Sequence, residues 1–185
     1  MKVIGTIGMN GAGKNTVIGY ISRNYGIPVI TISDLIGKAA ATDGIEPTRE
    51  NLTQVALDHI RKYGRDYFPR EVIRIIEQNQ WETTGVAGIR SYTDVETFRK
   101  RFGEDFTLVH VDVPDLLIRF QRVKNRGEPK DPKTFDEFLE QDKKEEENFQ
   151  LSKVIKEAEY TLRNDKDIEA LFAQIDKLLA KILGL

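Results

Sequence analysis

The stretch Gly8-Met9-Asn10-Gly11-Ala12-Gly13-Lys14-Asn15-Thr16 follows directly on the apolar run Val3-Ile4-Gly5-Thr6-Ile7. Its spacing matches the phosphate-binding template G-x-x-x-x-G-K-[S/T] at every fixed position but the last, where Asn15 stands in place of a hydroxyl residue. Glycines at 8, 11 and 13 permit turns and close approach that a β-carbon would block, so successive backbone N–H groups can converge on phosphate oxygens. A helix opening at Lys14 adds the partial positive charge of its N-terminus, and the lysine adds a full one. The nucleotide-binding residues expected on this basis are Gly8, Asn10, Gly11, Ala12, Gly13, Lys14, Asn15 and Thr16. Glycine turns between strand and helix also occur without ligands, but here the spacing, the lysine, the preceding strand and the following helix agree.

Asn15 bears on the metal more than on the nucleotide. In the common form of this loop a Ser or Thr hydroxyl touches Mg²⁺, a hard cation that prefers oxygen. Asn15 offers an amide oxygen, neutral and longer in reach, able to bind the ion directly or through a water. Thr16 keeps a hydroxyl and an N–H for an α-phosphate.

Outward from the loop, short β-rich runs alternate with longer helical patterns, the arrangement of a parallel sheet covered on both faces. Strands are expected at Lys2 to Ile7, Val29 to Ile32, Thr84 to Ile89, Phe106 to Val111 and Tyr160 to Leu162. Helices are expected at Lys14 to Asn24, Asn51 to Tyr63, Arg70 to Gln78, Asp115 to Arg126 and about Asp167 to Leu183. Thr134 followed by Glu137 is a capping-box pattern that opens a further helix, and the run Asp142-Lys-Lys-Glu-Glu-Glu-Asn148 reads as its solvated face. His59 and His110, in a helical pattern and a strand, read as structural.

With 185 residues, 39% hydrophobic and 31% charged, the chain has the composition of one soluble globular domain. No apolar run approaches the roughly 18 residues of a membrane span, and the N-terminal residues read as a first strand instead of a signal peptide. There is no cysteine, so no disulfide or thiolate metal site, and a cytoplasmic setting is expected. A net charge of −2 argues against an extended nucleic-acid surface.

The segments GMNGAGKNT, VITISDLIGKAA, GIRSYTDVETFRKRFG, RFQRVKNRGEPKDPKTFDEFLEQD and TLRNDKDIEALFAQIDKLL together resemble, in order, the small phosphate-loop kinases. The nearest group is a poorly characterised, largely archaeal kinase family related to dephospho-CoA kinases and adenylate kinases, with deoxynucleoside monophosphate kinases next. The resemblance spans nearly the whole chain. It implies an α/β three-layer P-loop NTPase fold: a five-stranded parallel sheet, helices on both faces and a small helical lid at about 115–150 of a single domain covering 1–185.

Adenylate kinases also lack a hydroxyl at the position of Asn15 and use Mg²⁺ held largely through water and phosphate oxygens. Relatives commonly carry Asp-Gly-x-x-Arg at the third strand, whose acid orders the metal's water shell. This chain has Ala87, Gly88, Ile89 and Arg90 there, so the acid is missing and Arg90 remains, by resemblance, to hold an acceptor's phosphate. Asp34 follows the second strand, near where ligands gather in open α/β sheets, and resembles the acid that partners an acceptor hydroxyl beside the metal. A cap on the next helix is its alternative role.

Arg119, Arg122 and Arg126 form one stripe on the expected helix beside Leu116, Phe120 and Val123, and cations so close repel unless anions are near. By resemblance, Arg122 and Arg126 are lid arginines that stabilise a transferring phosphoryl group; pairing with Glu140 or Asp142 is the structural alternative. Gly127-Glu-Pro-Lys-Asp-Pro-Lys133 suits a mobile lid connection. The expected activity is transfer of the γ-phosphoryl of ATP, with Mg²⁺, to a small acceptor, a nucleoside monophosphate or a dephospho-CoA-like hydroxyl. Lys14, Asp34, Arg122 and Arg126 are the expected catalytic residues, Asp34 and Arg90 bind the acceptor, and Asn15 and Asp34 hold the metal. The two departures, Asn15 and Ala87, keep open a nucleotide-binding regulatory protein and a slow ATPase. Oligomeric state is not legible.

Overall fold

β1 (Lys2–Ile7) is apolar on both faces, as the centre of a covered parallel sheet requires, and five of its six residues are buried. The computed structural model describes residues 1–128 and 131–184. Pro129 and Lys130, part of the expected lid connection, lie outside the described residues.

The chain alternates strand and helix as its periodicities predict. After β1 come α1 (Lys14–Tyr25), β2 (Val29–Thr31), α2 (Ile32–Thr42), α3 (Arg49–Tyr63), α4 (Tyr67–Gln78) and β3 (Thr83–Ala87). Then follow α5 (Tyr92–Phe102), β4 (Phe106–Asp112), α6 (Leu116–Arg126), α7 (Phe135–Phe149), α8 (Leu151–Ile155), β5 (Tyr160–Arg163) and α9 (Ile168–Leu183). The five strands form one parallel sheet in the order β2-β3-β1-β4-β5. The loop after β1 therefore opens at the carboxyl ends of the central strands, where ligands of open α/β sheets gather.

Strand alternation divides the core in two. Val3 and Ile7 of β1 and Phe106 and Leu108 of β4 face one side, under Val72 and Ile76 of α4 and Val95 and Phe98 of α5. Ile4, Val109 and Val111 face the other, under Val17 and Ile21 of α1 and Leu171 and Ile175 of α9. Phe98 is fully buried and stacks on Phe106 with ring centroids 5.3 Å apart.

Local chemistry sets the helix starts. Ser91 and Asp94 exchange hydrogen bonds in a capping box at α5, and Thr134 and Glu137 do the same at α7. Asp115 caps α6 by accepting from the N–H groups of Leu117 and Ile118. Two expectations shift here. Ile32 opens α2 instead of ending β2, so Thr31 is the N-cap and Ser33 and Asp34 lie in the first turn, not at the cap. Ile89 falls beyond β3, because Gly88, with φ of 90°, turns the chain away at the strand's end.

Replacing Phe98 by alanine should cost roughly 3–5 kcal/mol, the usual penalty for emptying a buried aromatic site. Urea unfolding followed by circular dichroism measures it; a loss below about 1 kcal/mol would show that the α5 face is not close-packed.

Candidate functional site

The loop takes its shape from glycines whose backbone no other residue adopts cheaply. Gly11 has φ of 78°, and a β-carbon there would meet the Arg119 carbonyl oxygen at 2.5 Å. Gly13 has φ of 95° and caps α1, with the Asn164 amide where its side chain would be. The loop is thus pressed between α6 and the segment after β5. Asn164, 5% exposed, donates to the Ala12 carbonyl at 2.8 Å, and its own N–H donates to Asp112 O at 2.9 Å.

Lys14 folds back over this loop, its ammonium donating to Gly8 O at 2.7 Å and Met9 O at 2.9 Å. Burial pulls its pKa from 10.5 to about 8, helped by the positive charges of Arg90, Arg126 and Arg119 and opposed by Glu145. The four cations therefore share one electrostatic environment, as a polyanion-binding site requires.

Arg119 is the most enclosed of them. It is 4% exposed, donates to Asn10 O at 3.0 Å, pairs with Asp142 at 2.5 Å and lies over the Phe138 ring at 5.1 Å. A buried pair of this kind costs several kcal/mol to break, because the survivor is left charged and unpaired. Asp142 and Glu145 are 7% and 8% exposed, so the run expected to be wholly solvated is not. Lys143, Lys144 and Glu147 do face solvent. The reason is tertiary: the α7 face that continues Phe138 meets the arginines of α6 and of the β3–α5 turn.

Arg90 pairs with Glu145 at 3.5 Å, and its position is fixed by Asp94, which accepts from the N–H groups of Arg90 and Ser91 at 3.0 and 2.9 Å. Burial holds the Asp94 carboxyl above its ordinary pKa despite those bonds. Arg126 is paired with Asp131, its Nε donating at 2.9 Å, and Glu128 stands 3.4 Å away. Arg122 has one terminal nitrogen, Nη1, buried without a hydrogen-bond partner. Glu140, considered as an arginine partner, instead pairs with Lys144 at 2.6 Å. Leu116, flanking the expected stripe, is 40% exposed whereas Arg119 is buried, the reverse of what hydropathy implies.

Asp34 is exposed on the first turn of α2 and lines an open cavity of about 460 Å³ with Ser33, Lys38, Leu52 and Glu128. Glu128 on this cavity is 3.4 Å from Arg126, one of the groups that act on Lys14. The β3 end approaches the same helix, since a β-carbon on Gly88 would lie 3.3 Å from Ile32 Cβ. Ala87 is 1% exposed within the apolar cluster of Ile4 and Val109. Asn15 is exposed and Thr16 half-buried. Among the described residues there is no group of three His, Cys, Asp or Glu that could hold a metal ion. Asn10 Nδ2 in the loop and Arg119 Nε, on the side chain that holds Asn10 O, are buried donors without a partner, a donor chemistry that suits phosphate oxygens.

A family model described as an AAA domain matches residues 7–138. A UPF0200 protein of Hyperthermus butylicus is 34% identical over 182 residues, covering 98% of this chain and 95% of the relative. The chain belongs to the UPF0200 family of AAA-domain proteins. A UPF0200/UPF0201 protein of Archaeoglobus fulgidus is also 34% identical, over 98% of this chain, which spans only 56% of that relative's length. A shikimate kinase structure from Bacteroides thetaiotaomicron superposes with a TM-score of 0.60 and 17% identity, covering 100% of this chain and 99% of that one. At that identity the likeness establishes the fold, an α/β P-loop kinase-like one, and no more.

The sequence of this UPF0200 chain pointed to Asp142 as a partner for the arginine stripe, which the Arg119 pair bears out, but not to Asn164 or Glu145. A signal existed for the acids: Phe138, Asp142, Glu145 and Phe149 share a helical face that begins and ends apolar. Asn164 carried none, because its contact joins residues 152 positions apart.

Gly11→Ala should cost about 2 kcal/mol through backbone strain and its clash with α6. Urea unfolding tests this, and an unchanged midpoint would mean that the loop is free to shift away from Arg119.

Proposed function

We propose that this chain is an ATP-dependent phosphotransferase acting on a small acceptor, as its resemblance to dephospho-CoA kinases and nucleoside monophosphate kinases suggests. The single observation that carries this is the grouping of Lys14, Arg90, Arg119 and Arg126 around a glycine loop at the end of β1. In this reading the loop amides and Lys14 take the β- and γ-phosphates, and Lys14 leaves the Gly8 and Met9 carbonyls to do so. Thr16 and Asn10 complete the cradle.

The acceptor rests in the cavity beside Asp34, which orients its hydroxyl and receives the proton as the new oxygen–phosphorus bond forms and the bond to ADP breaks. Arg90 holds a phosphate of the acceptor where it has one. Arg122, with its unpartnered nitrogen, and Arg126, once separated from Asp131, bring positive charge to the transferring group as the lid at about 115–150 closes. Mg²⁺, when bound, supplies charge to the phosphate oxygens. Asn15 and Asp34 are the residues that would hold it. The chain is proposed to work as one unit in the cytoplasm; among the described residues no helix is long and apolar enough to cross a membrane.

Incubation with Mg-ATP and a panel of nucleoside monophosphates, nucleosides and dephospho-CoA should give acceptor-dependent ADP. Lys14→Ala should lower turnover by at least about a hundredfold with the circular dichroism spectrum unchanged. Absence of acceptor-dependent ADP across the panel would sink the transferase reading. A second reading, a nucleotide-binding protein or slow ATPase, is favoured by the apolar burial of Ala87 where relatives carry an acid, and predicts ATP binding without acceptor turnover.

The depressed pKa of Lys14 gives a separate check. Free Lys14 loses its proton through about pH 8, and phosphate charge restores the ammonium toward its ordinary 10.5. ATP binding at about pH 9 should therefore take up close to one proton, and at about pH 6.5 almost none. Calorimetry in buffers of different ionisation enthalpy reads this, and Lys14→Met should abolish the uptake.

A further inference from the structure

Two ion pairs tie α7 to the groups around the loop, and they differ in kind. Arg119 and Asp142 meet at 2.5 Å, with side chains 5% and 9% exposed, and Arg119 is also bound to the loop through Asn10 O. That pair is enclosed and braced on two sides. Arg90 and Glu145 meet only at 3.5 Å, and the Arg90 side chain is 43% exposed while that of Glu145 is 10% exposed. This pair has one well-buried member and one that water reaches, so its separation carries a smaller desolvation penalty than that of the first.

Glu145 also acts on Lys14, and it is the negative charge among the groups that do, the others being Arg90, Arg126 and Arg119. A carboxylate here offsets the mutual repulsion of four cations. It does so incompletely, since Asn10 Nδ2, Arg119 Nε and Arg122 Nη1 remain buried donors without a partner. Five of the six such orphaned atoms among the described residues belong to the loop, α6 and α7. Of these, Asn10 Nδ2, Arg119 Nε and Arg122 Nη1 are donors that a group with more acceptor oxygens and more negative charge than one carboxylate would satisfy, and a nucleotide polyphosphate is of that class.

We propose that Glu145 takes the place of a nucleotide phosphate in the ligand-free protein, and that phosphate binding displaces it from Arg90 while Asp142 stays on Arg119. The inference rests on the nucleotide-binding reading above. It makes α7 a lever: fixed at Asp142, and released one turn later at Glu145 when phosphate arrives. Occupancy of the loop thereby releases the Glu145 turn of α7 from Arg90, so that α7 can move as the lid closes. The cost of the displacement lowers affinity for the nucleotide, because each binding event must first separate Glu145 from Arg90.

The test is calorimetric titration of the full chain with ATP and, separately, with inorganic tripolyphosphate. Glu145→Gln and Glu145→Ala should each bind both ligands at least fivefold more tightly than wild type, by similar ratios, since the contest is with phosphate and not with the base. Binding unchanged or weakened in these variants, or a gain for ATP alone, overturns the inference while wild-type ATP binding keeps the nucleotide reading intact. Wild type that binds neither ligand overturns both. A measurement on wild type needs no variant to fold: carbodiimide labelling of carboxylates read by mass spectrometry. Glu145 should label slowly without ligand and at least threefold faster with saturating tripolyphosphate, while Asp142 stays protected. Glu145 labelling that is unchanged or slower with ligand, under saturation confirmed by calorimetry, overturns the displacement.

Discussion

A guanidinium almost cut off from water needs partners within the protein, and Arg119 finds them for its two terminal nitrogens by joining three parts of the chain. It holds the loop through Asn10 O, α7 through Asp142 and the Phe138 ring, and it belongs to α6. Its own carbonyl lies against Gly11, which is why that position has no room for a side chain. The loop's curvature, the seating of α6 and the inward turn of α7 are therefore one arrangement. Removing either charge of the pair would leave the other buried and uncompensated.

Around this brace, Lys14, Arg90 and Arg126 gather with Arg119 into a cluster of cations balanced by few acids. Lys14 spends its hydrogen bonds on the Gly8 and Met9 carbonyls and is held well below its ordinary pKa by burial and by neighbouring arginines. Asp142, Glu145 and Asp131 each draw in one arginine, so the same cations that suit a transferring phosphoryl group are kept compatible with folding. The exposed ion pairs along α7, such as Lys143 with Glu147, contribute little by comparison.

Much of the fold could be read locally. The alternation of apolar runs with helical periodicities located the five strands within a residue or two, because strands buried on both faces have few polar residues to confuse them. The capping boxes at Ser91 and Thr134 sat where the side-chain chemistry put them, although only the second was anticipated. What local patterns misjudged was orientation. Asp142 was expected on a solvated face; it is inside because of Arg119, 23 positions away. Leu116 and Leu117 went outward in exchange, at 40% and 57% exposure.

The sequence by itself determined the strand–loop–helix unit at Gly8 to Thr16, the parallel alternation and the family of fold, since these follow from backbone freedom at glycine and from burial periodicity over a few residues. Only the tertiary structure decided which charges meet. Lys14, Arg90, Glu145 and the α6 pair Arg119 and Arg126 come from four separate stretches, and helical spacing links only the two arginines of α6. Coulombic interaction depends on distance in space and on exclusion of water, both of which are set by how α6 and α7 fold back over the carboxyl end of the sheet.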